Sequence, residues 1–112
     1  MRASELDTKP AELRIEAGQA GDRYIVRLLG ELDCAGAGEV EMALVLAEKT
    51  GAHRILLDID ELTFIDSTGL AVLMRAKHRA DAAGERLRIT RGTGQVADML
   101  RLTALDLSLP FV

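Results

Sequence analysis

The most informative part of the sequence is the run Asp58-Ile59-Asp60-Glu61-Leu62-Thr63-Phe64-Ile65-Asp66-Ser67-Thr68-Gly69-Leu70. It overlaps the end of a predicted central strand, Arg54–Ile59, whose apolar centre is typical of a strand covered on both faces. It leads into a segment, Leu70 to Lys77, whose helical spacing predicts a helix that ends by Gly84. Open α/β sheets usually bind ligands and partners at such a strand-to-helix edge, so we look for function there.

Two strands are predicted on the N-terminal side of this run. Apolar and charged residues alternate from Glu12 to Ala17, which is typical of a strand with one face in water. Gly18, Gly21 and Asp22 supply turn residues before a second β-rich segment at residues 24–29. We therefore predict that these two strands pair as an antiparallel hairpin.

Two more helices are predicted from apolar periodicity. Residues Val40 to Ala47 follow helical spacing, and Gly51 lies where such a helix would stop. Near the C-terminus, Thr93 is placed to cap a third helix that runs through Leu100.

The C-terminal third supplies the remaining sheet elements. Alternation in Arg86–Thr90 predicts a strand nearer the edge of the sheet. Leu105–Val112 is expected to add a short strand or to lie against the sheet, where Pro110 would confine it to an edge. The element order predicts an α/β fold with a mixed sheet, built from the antiparallel hairpin and later parallel crossovers. We assign residues 11–112 to this domain and residues 1–10 to a flexible leader.

Composition narrows the classes of function. The chain has 112 residues, 48% of them hydrophobic, and a formal net charge of −4, as expected for one soluble domain. An acidic balance disfavours direct binding to nucleic acid, and Tyr24, Phe64 and Phe111 are too few and too scattered to form a base-stacking platform. No apolar run approaches the roughly 20 residues of a membrane span, so we expect a cytoplasmic protein without membrane attachment.

Metal and redox sites are also disfavoured. Cys34 is the single cysteine, which excludes a disulfide framework and a multi-cysteine zinc site. His53 and His78 are the only histidines, and they are interpreted as surface residues. We predict no metal and no cofactor.

Ser67 and Thr68 are the hydroxyl residues of the central run, and two interpretations of them remain open. In the simpler one they only cap the following helix through their side-chain oxygens. In the other, Ser67 accepts a phosphate at a helix N-terminus beside Gly69, where free amides and the helix dipole favour an anion. Phosphorylation would add roughly two negative charges to an acidic surface and repel a bound partner, which is a switch.

The motifs resemble one known family. Phe64-Ile65-Asp66-Ser67-Thr68-Gly69-Leu70, preceded by Leu56-Leu57-Asp58 and by Gly30-Glu31-Leu32-Asp33, resembles the STAS family, specifically the bacterial anti-sigma factor antagonists. The likeness continues into Val96-Ala97-Asp98-Met99-Leu100-Arg101-Leu102-Thr103-Ala104-Leu105 and covers nearly the whole chain. It implies a single STAS-like domain with its helices mainly on one face of the sheet.

The resemblance also implies a non-enzymatic binding protein. In its dephosphorylated form it would capture an anti-sigma factor, often itself a serine kinase, and so release a sigma factor for transcription. Phosphorylation on the serine that matches Ser67 would part the complex, and a separate PP2C-like, metal-dependent phosphatase would restore binding. We expect a monomer or a weak dimer.

Site residues follow from the same resemblance. Ser67 is the acceptor, and Thr68 ranks below it as a second hydroxyl. Asp66 and Gly69 would shape the loop, and Asp33 would lie on the neighbouring loop of the same face. The partner is expected to dock over these loops and over the helix from Leu70 to Arg79, whose exposed face offers the candidates Arg75, Lys77, His78 and Arg79.

Alternatives remain beside this interpretation. Asp58 and Asp60 after an apolar strand suggest an aspartyl phosphoacceptor, but no paired acids follow the first strand, so both are interpreted as solvated loop acids. The segment Cys34-Ala35-Gly36-Ala37-Gly38 departs from the family pattern and is predicted to be flexible. A different role within the same fold is an accessory subunit of an ATP-driven lipid transporter, or a scaffold that is never phosphorylated.

Overall fold

The computed structural model describes residues 12–84 and 86–112. Within them the strands are β1 Arg14–Ala20, β2 Arg23–Leu32, β3 Arg54–Ile65 and β4 Leu87–Ile89, and the helices are α1 Ala37–Glu48, α2 Ser67–Ala82 and α3 Gly94–Leu102. A 3₁₀ turn, Leu105–Leu107, follows α3. The leader predicted at residues 1–10 lies outside the described residues.

The sheet confirms the predicted mixed topology. Its strand order is β1-β2-β3-β4, with β1 and β2 antiparallel and the other two pairings parallel. The hairpin turn is tighter than the prediction, because Gly18 lies inside β1 and only Gly21 and Asp22 separate Ala20 from Arg23. Gly21 has a φ of +66°, which a side chain would disfavour.

The core lies between one face of this sheet and the helices. Val26 on β2, Leu57 on β3 and Ile89 on β4 are adjacent in register and fully buried. They belong to one cluster with buried residues of all three helices, among them Leu44, Leu73 and Leu100. The predicted placement of the helices on one face is therefore confirmed. Leu56 points to the other face and is only half-buried, so the prediction that β3 is covered on both faces was wrong.

β3 extends to Ile65 instead of ending near Ile59, and two irregularities explain the difference. The β2–β3 register shifts between Arg27 and Leu29 and again between Gly30 and Glu31. Each shift lets β3 carry one extra residue, so the buried positions change from a spacing of two to a spacing of three, at Ile59, Leu62 and Ile65. The alternation that identifies a strand in sequence is lost over this part.

The longer strand moves three acidic residues out of the predicted loop. Asp58, Asp60 and Glu61 all lie within β3, so the interpretation of Asp58 and Asp60 as solvated loop acids was wrong. Asp58 is half-buried and accepts a hydrogen bond from Arg27 Nε at 3.3 Å. Asp60 and Glu61 are exposed, as predicted for solvated acids, but they lie on a strand and not in a loop, and Asp60 Oδ1 accepts from the Gly92 N–H at 3.0 Å.

The remaining segments also take defined positions. Gly36 is buried against Leu13, and Ala37 and Gly38 form the first turn of α1, so part of the segment predicted to be flexible is helical. At the C-terminus, Phe111 forms a parallel bridge with Ile89, as expected for a tail that lies against the sheet. Across residues 12–84 and 86–112, no helix has both the length and the apolar character needed to cross a membrane.

Candidate functional site

The predicted site forms where β3 ends and α2 begins. Asp66 takes an extended conformation there, with φ −114° and ψ −171°, and it is the N-cap of α2. Its Oδ1 accepts hydrogen bonds from the backbone N–H groups of Thr68 (3.0 Å) and Gly69 (3.1 Å). Asp66, and not a hydroxyl residue, therefore satisfies the first free amides of the helix.

The two hydroxyl residues consequently differ. Ser67 is the first residue of α2, is exposed, and makes no side-chain hydrogen bond within the described part of the chain. Thr68 is also exposed, but its Oγ1 donates to Asp66 Oδ1 at 2.6 Å. The simple interpretation of Ser67 and Thr68 as capping residues is therefore wrong, because the preceding aspartate takes that role.

The same contacts shift the acidity of Asp66. Its pKa lies below the ordinary value, chiefly because the Thr68 hydroxyl donates to the carboxylate. Burial acts in the opposite direction, and the backbone N–H groups of Gly69 and Thr68 lower the pKa further. The cap is therefore a carboxylate at neutral pH, directly beside the Ser67 hydroxyl.

Gly69 lets the helix start close to the sheet. A Cβ at this position would lie 2.7 Å from Ile65 Cγ1 and 2.8 Å from Leu32 Cγ, well inside contact distance. Gly69 itself is buried. The role predicted for it, that of shaping the loop, thus has a steric basis.

Asp33 lies on the adjacent loop, at the end of β2. The β2 and β3 ends are joined by a hydrogen bond from the Asp66 N–H to the Leu32 carbonyl, at 3.2 Å. Asp33 Oδ1 accepts from the Ala35 N–H at 3.0 Å and so fixes the turn into α1. Asp33 also lines an open cleft of about 360 Å³ with three further acids, Glu12, Glu31 and Glu39.

The candidate binding residues of α2 are not equivalent. At 3.6 residues per turn, His78 falls within about 20° of Ser67 around the helix axis and about 16 Å along it, whereas Arg75 is about 80° away.

The side chains of α2 also differ in their partners. His78 and Arg75 are both exposed, but Arg75 Nε donates to Glu41 of α1 at 3.3 Å. Lys77 pairs with Asp81 within α2 at 2.5 Å, and half-buried Arg79 binds Glu41 and Glu48. Within residues 12–84 and 86–112, His78 is therefore the member of this set whose side chain makes no hydrogen bond or ion pair, and Arg79 mainly joins two helices.

One residue that the sequence analysis did not single out contacts this site. Gln95, in the first turn of α3, accepts from the Ile65 N–H at 2.9 Å and donates to the Ile65 carbonyl at 3.0 Å. Its partner is 30 positions away, and a single glutamine carries no sequence signal for such a pairing. Thr93 does precede α3 as predicted, but its side chain makes no capping hydrogen bond.

Among residues 12–84 and 86–112, no group of three or more His, Cys, Asp or Glu side chains is placed to hold a metal ion. The geometry of the site is that of an exposed hydroxyl at a helix start, directly after the capping carboxylate of Asp66. Such a surface suits covalent modification and protein binding.

Comparison with known proteins gives a consistent result. The family model described as the STAS domain matches residues 14–112. The anti-sigma-B factor antagonist of Staphylococcus epidermidis is 27% identical over 93 residues, which are 83% of this chain and 86% of that protein.

Solved structures share the fold. An anti-sigma factor antagonist from Mycobacterium paratuberculosis superposes with a TM-score of 0.77 at 20% identity, over 92% of this chain and 87% of that one. The anti-sigma factor antagonist SpoIIAA in its unphosphorylated form superposes with a TM-score of 0.70 at 20% identity, over 90% of this chain and 86% of that one. The Bacillus cell fate determinant SpoIIAA in its phosphorylated form superposes with a TM-score of 0.65 at 19% identity, over 90% of this chain and 89% of that one.

Proposed function

This chain belongs to the STAS domain family, and on that premise we propose that it is an anti-sigma factor antagonist switched by phosphorylation of Ser67. In the proposed cycle the dephosphorylated form binds an anti-sigma factor and frees a sigma factor. A serine kinase, which can be the anti-sigma factor itself, modifies Ser67 and ends the complex. A PP2C-like phosphatase removes the phosphate.

The observation that carries the proposal is that Asp66 caps α2 and that the Ser67 hydroxyl takes no part in the cap. Asp66 supplies the cap, so the Ser67 hydroxyl has no structural hydrogen bond to lose when it is modified. A phosphate there would lie near the N-terminus of α2, which favours an anion. We therefore expect modification to change the surface while leaving the fold intact.

The electrostatic consequence supports a switch. Phosphoserine carries between about −1.5 and −2 charges at neutral pH. It would stand beside the Asp66 carboxylate and near the loop of Asp33, which shares its cleft with three other acids. A partner that tolerates the uncharged hydroxyl would meet a much more negative surface.

The proposed binding surface combines the two loops with part of α2. Asp33, Ser67 and Thr68 form the part of this surface at the loops, with buried Gly69 behind them, and the exposed face of α2 continues the surface to His78. Arg75 adjoins this face but already has a partner in Glu41, so binding there would have to share or replace that ion pair. We rank His78 above Arg75 as a contact for the anti-sigma factor.

The test begins with identification of the modified residue. The protein is incubated with ATP and an extract of its own cells, then mapped by peptide mass analysis beside Ser67→Ala and Thr68→Val. We expect one phosphate on Ser67 that is lost only in Ser67→Ala. Absence of label, under conditions that label a known substrate, would favour the transporter subunit or the unphosphorylated scaffold.

The second part measures binding to the purified anti-sigma factor. We expect Ser67→Asp to raise the Kd at least tenfold. Ser67→Asn introduces a side chain of the same size as aspartate but without charge, so its Kd should stay within about threefold of the wild-type value. Equal, tight binding by Ser67→Asp and the wild type would contradict the switch.

A further inference from the structure

The edge of β3 that leads to Ser67 has only a short strand beside it. β4 pairs with β3 over Ile55 to Leu57, and the Thr90 N–H then donates to the Leu57 carbonyl at 3.0 Å. Beyond Leu57, hydrogen bonds that involve side chains take the place of pairing between β3 and β4. Thr90 Oγ1 accepts from the Ile59 N–H at 2.8 Å, and an Asp60 carboxylate oxygen accepts from the Gly92 N–H at 3.0 Å.

Gln95 makes the last of these contacts, immediately before the loop. Its side-chain amide accepts from the Ile65 N–H and donates to the Ile65 carbonyl, at 2.9 and 3.0 Å. A neighbouring parallel strand would supply the same donor and acceptor from two of its residues, and a single primary amide carries both. Ile65 is fully buried, so its polar backbone groups need such a partner.

We propose that Gln95 is a positioning residue for the Ser67 hydroxyl. Ile65 is held by Gln95 on one side of β3, and the next residue, Asp66, is held by the Leu32 carbonyl on the other. These bonds fix the backbone from which the Asp66 cap and Ser67 project. Without Gln95, one side of this anchorage is lost and the loop takes up a wider range of positions.

The effect on phosphorylation rests on the proposed function, whereas the effect on the loop does not. A kinase must bring the hydroxyl in line with the transferred phosphate, so a small displacement costs rate. The docking surface on α2 does not include Gln95. Loss of Gln95 should therefore lower kcat and leave KM nearly unchanged.

The first experiment measures amide exchange by NMR in Gln95→Met, which keeps the length of the side chain and removes both hydrogen bonds. Gln19→Met is the matched control, because Gln19 is the other glutamine of the chain and its side chain, among the residues that the structure describes, bonds only to the Gly21 carbonyl in the exposed hairpin turn. We expect the Ile65, Thr68 and Gly69 amides to exchange about tenfold faster in Gln95→Met, relative to the core amide of Val26. Exchange no faster than in Gln19→Met overturns the proposal.

The second experiment measures Ser67 phosphorylation with the kinase that labels the wild type. We expect kcat to fall about tenfold in Gln95→Met with KM within twofold. Gln95→Glu keeps an acceptor for the Ile65 N–H but sets a carboxylate oxygen against the Ile65 carbonyl, so it should not restore kcat. Faster loop exchange with an unchanged kcat overturns the positioning role. A wild type that is never phosphorylated counts against the proposed function, and amide exchange still decides the role of Gln95 in the loop.

Discussion

At the start of α2, the Asp66 side chain determines which of the neighbouring polar groups have a hydrogen-bond partner. Its carboxylate occupies the free amides of Thr68 and Gly69 and also the Thr68 hydroxyl, and this leaves Ser67 as the uncommitted hydroxyl at the helix start. The same bonds lower the pKa of Asp66 and so make the cap depend on pH. Asp66 thus takes the capping role, and the adjacent Ser67 hydroxyl takes no part in the cap.

The first prediction concerns the Asp66 cap. Asp66→Ala should lower the free energy of unfolding by about 1 kcal/mol, and Asp66→Asn, which keeps an acceptor, by less. Because the folded pKa is depressed, the contribution of the carboxylate is present above the unfolded pKa near 4 and is lost as pH falls through the lower folded pKa. Urea unfolding at pH 7 and at pH 2 to 3 should show the gap between wild type and Asp66→Asn closing in acid. A gap that is constant across this range would contradict the assignment.

The second prediction concerns Gly69. Gly69→Ala would press a methyl group against Ile65 and Leu32, so we expect a loss of about 1–3 kcal/mol of stability. Gly38→Ala is the matched control, because its Cβ would enter open space in the first turn of α1. Alanine there should be neutral or stabilise by about 0.5 kcal/mol. Thermal unfolding of both variants separates steric crowding from a general effect of alanine.

At the scale of elements, α1 and α2 are joined by charged side chains at their exposed edge. Arg79 binds both Glu48, at 2.9 Å, and Glu41, while Arg75 adds a second bond to Glu41. Burial lowers the pKa of Arg79, but the hydrogen bonds and charges of Glu48 and Glu41 outweigh burial and raise the pKa above its ordinary value. One guanidinium nitrogen of Arg79 is buried without a hydrogen-bond partner in the described structure, which offsets part of the gain.

The third prediction follows from this pairing. Arg79→Met keeps most of the apolar stem and leaves Glu41 and Glu48 facing each other, so we expect a loss of about 1–2 kcal/mol. Lys77→Met, which breaks an ion pair within α2 alone, should cost no more than about 0.5 kcal/mol. Equal losses in denaturant unfolding would mean that the bridge between the helices adds nothing.

At the scale of the whole molecule, the C-terminal segment completes the far edge of the sheet. The Ile89 N–H donates to the Pro110 carbonyl at 3.0 Å, and the Val112 N–H donates to the Ile89 carbonyl at 3.1 Å. Phe111 packs against the core and lies under the Arg91 guanidinium, 5.1 Å from the ring centre. β4 is therefore not an open edge along its short length.

The fourth prediction tests this closure. Phe111→Ala should lower the free energy of unfolding by about 2 kcal/mol, since it removes apolar contact with the core and the cation–π contact with Arg91. Val112→Ala, at a residue that is 63% exposed, should change the free energy of unfolding by less than about 0.5 kcal/mol. Similar values for the two variants would show that the segment adds little to the fold.

The sequence by itself determined the class of fold, the hairpin, the three helices and the family. Periodicity and turn residues act locally, and the Asp66-Ser67-Thr68-Gly69 motif is contiguous, so both can be recognised without the folded chain. The tertiary structure decided the length of β3, the partner of Asp58, the free state of the Ser67 hydroxyl and the contact of Gln95 with Ile65. The bulges and the bonds of Asp58 and Gln95 depend on residues about 30 positions apart, and only the folded chain brings those residues together. The state of the Ser67 hydroxyl depends on near neighbours, but the conformation of Asp66 at the helix start decides which side chain caps the helix.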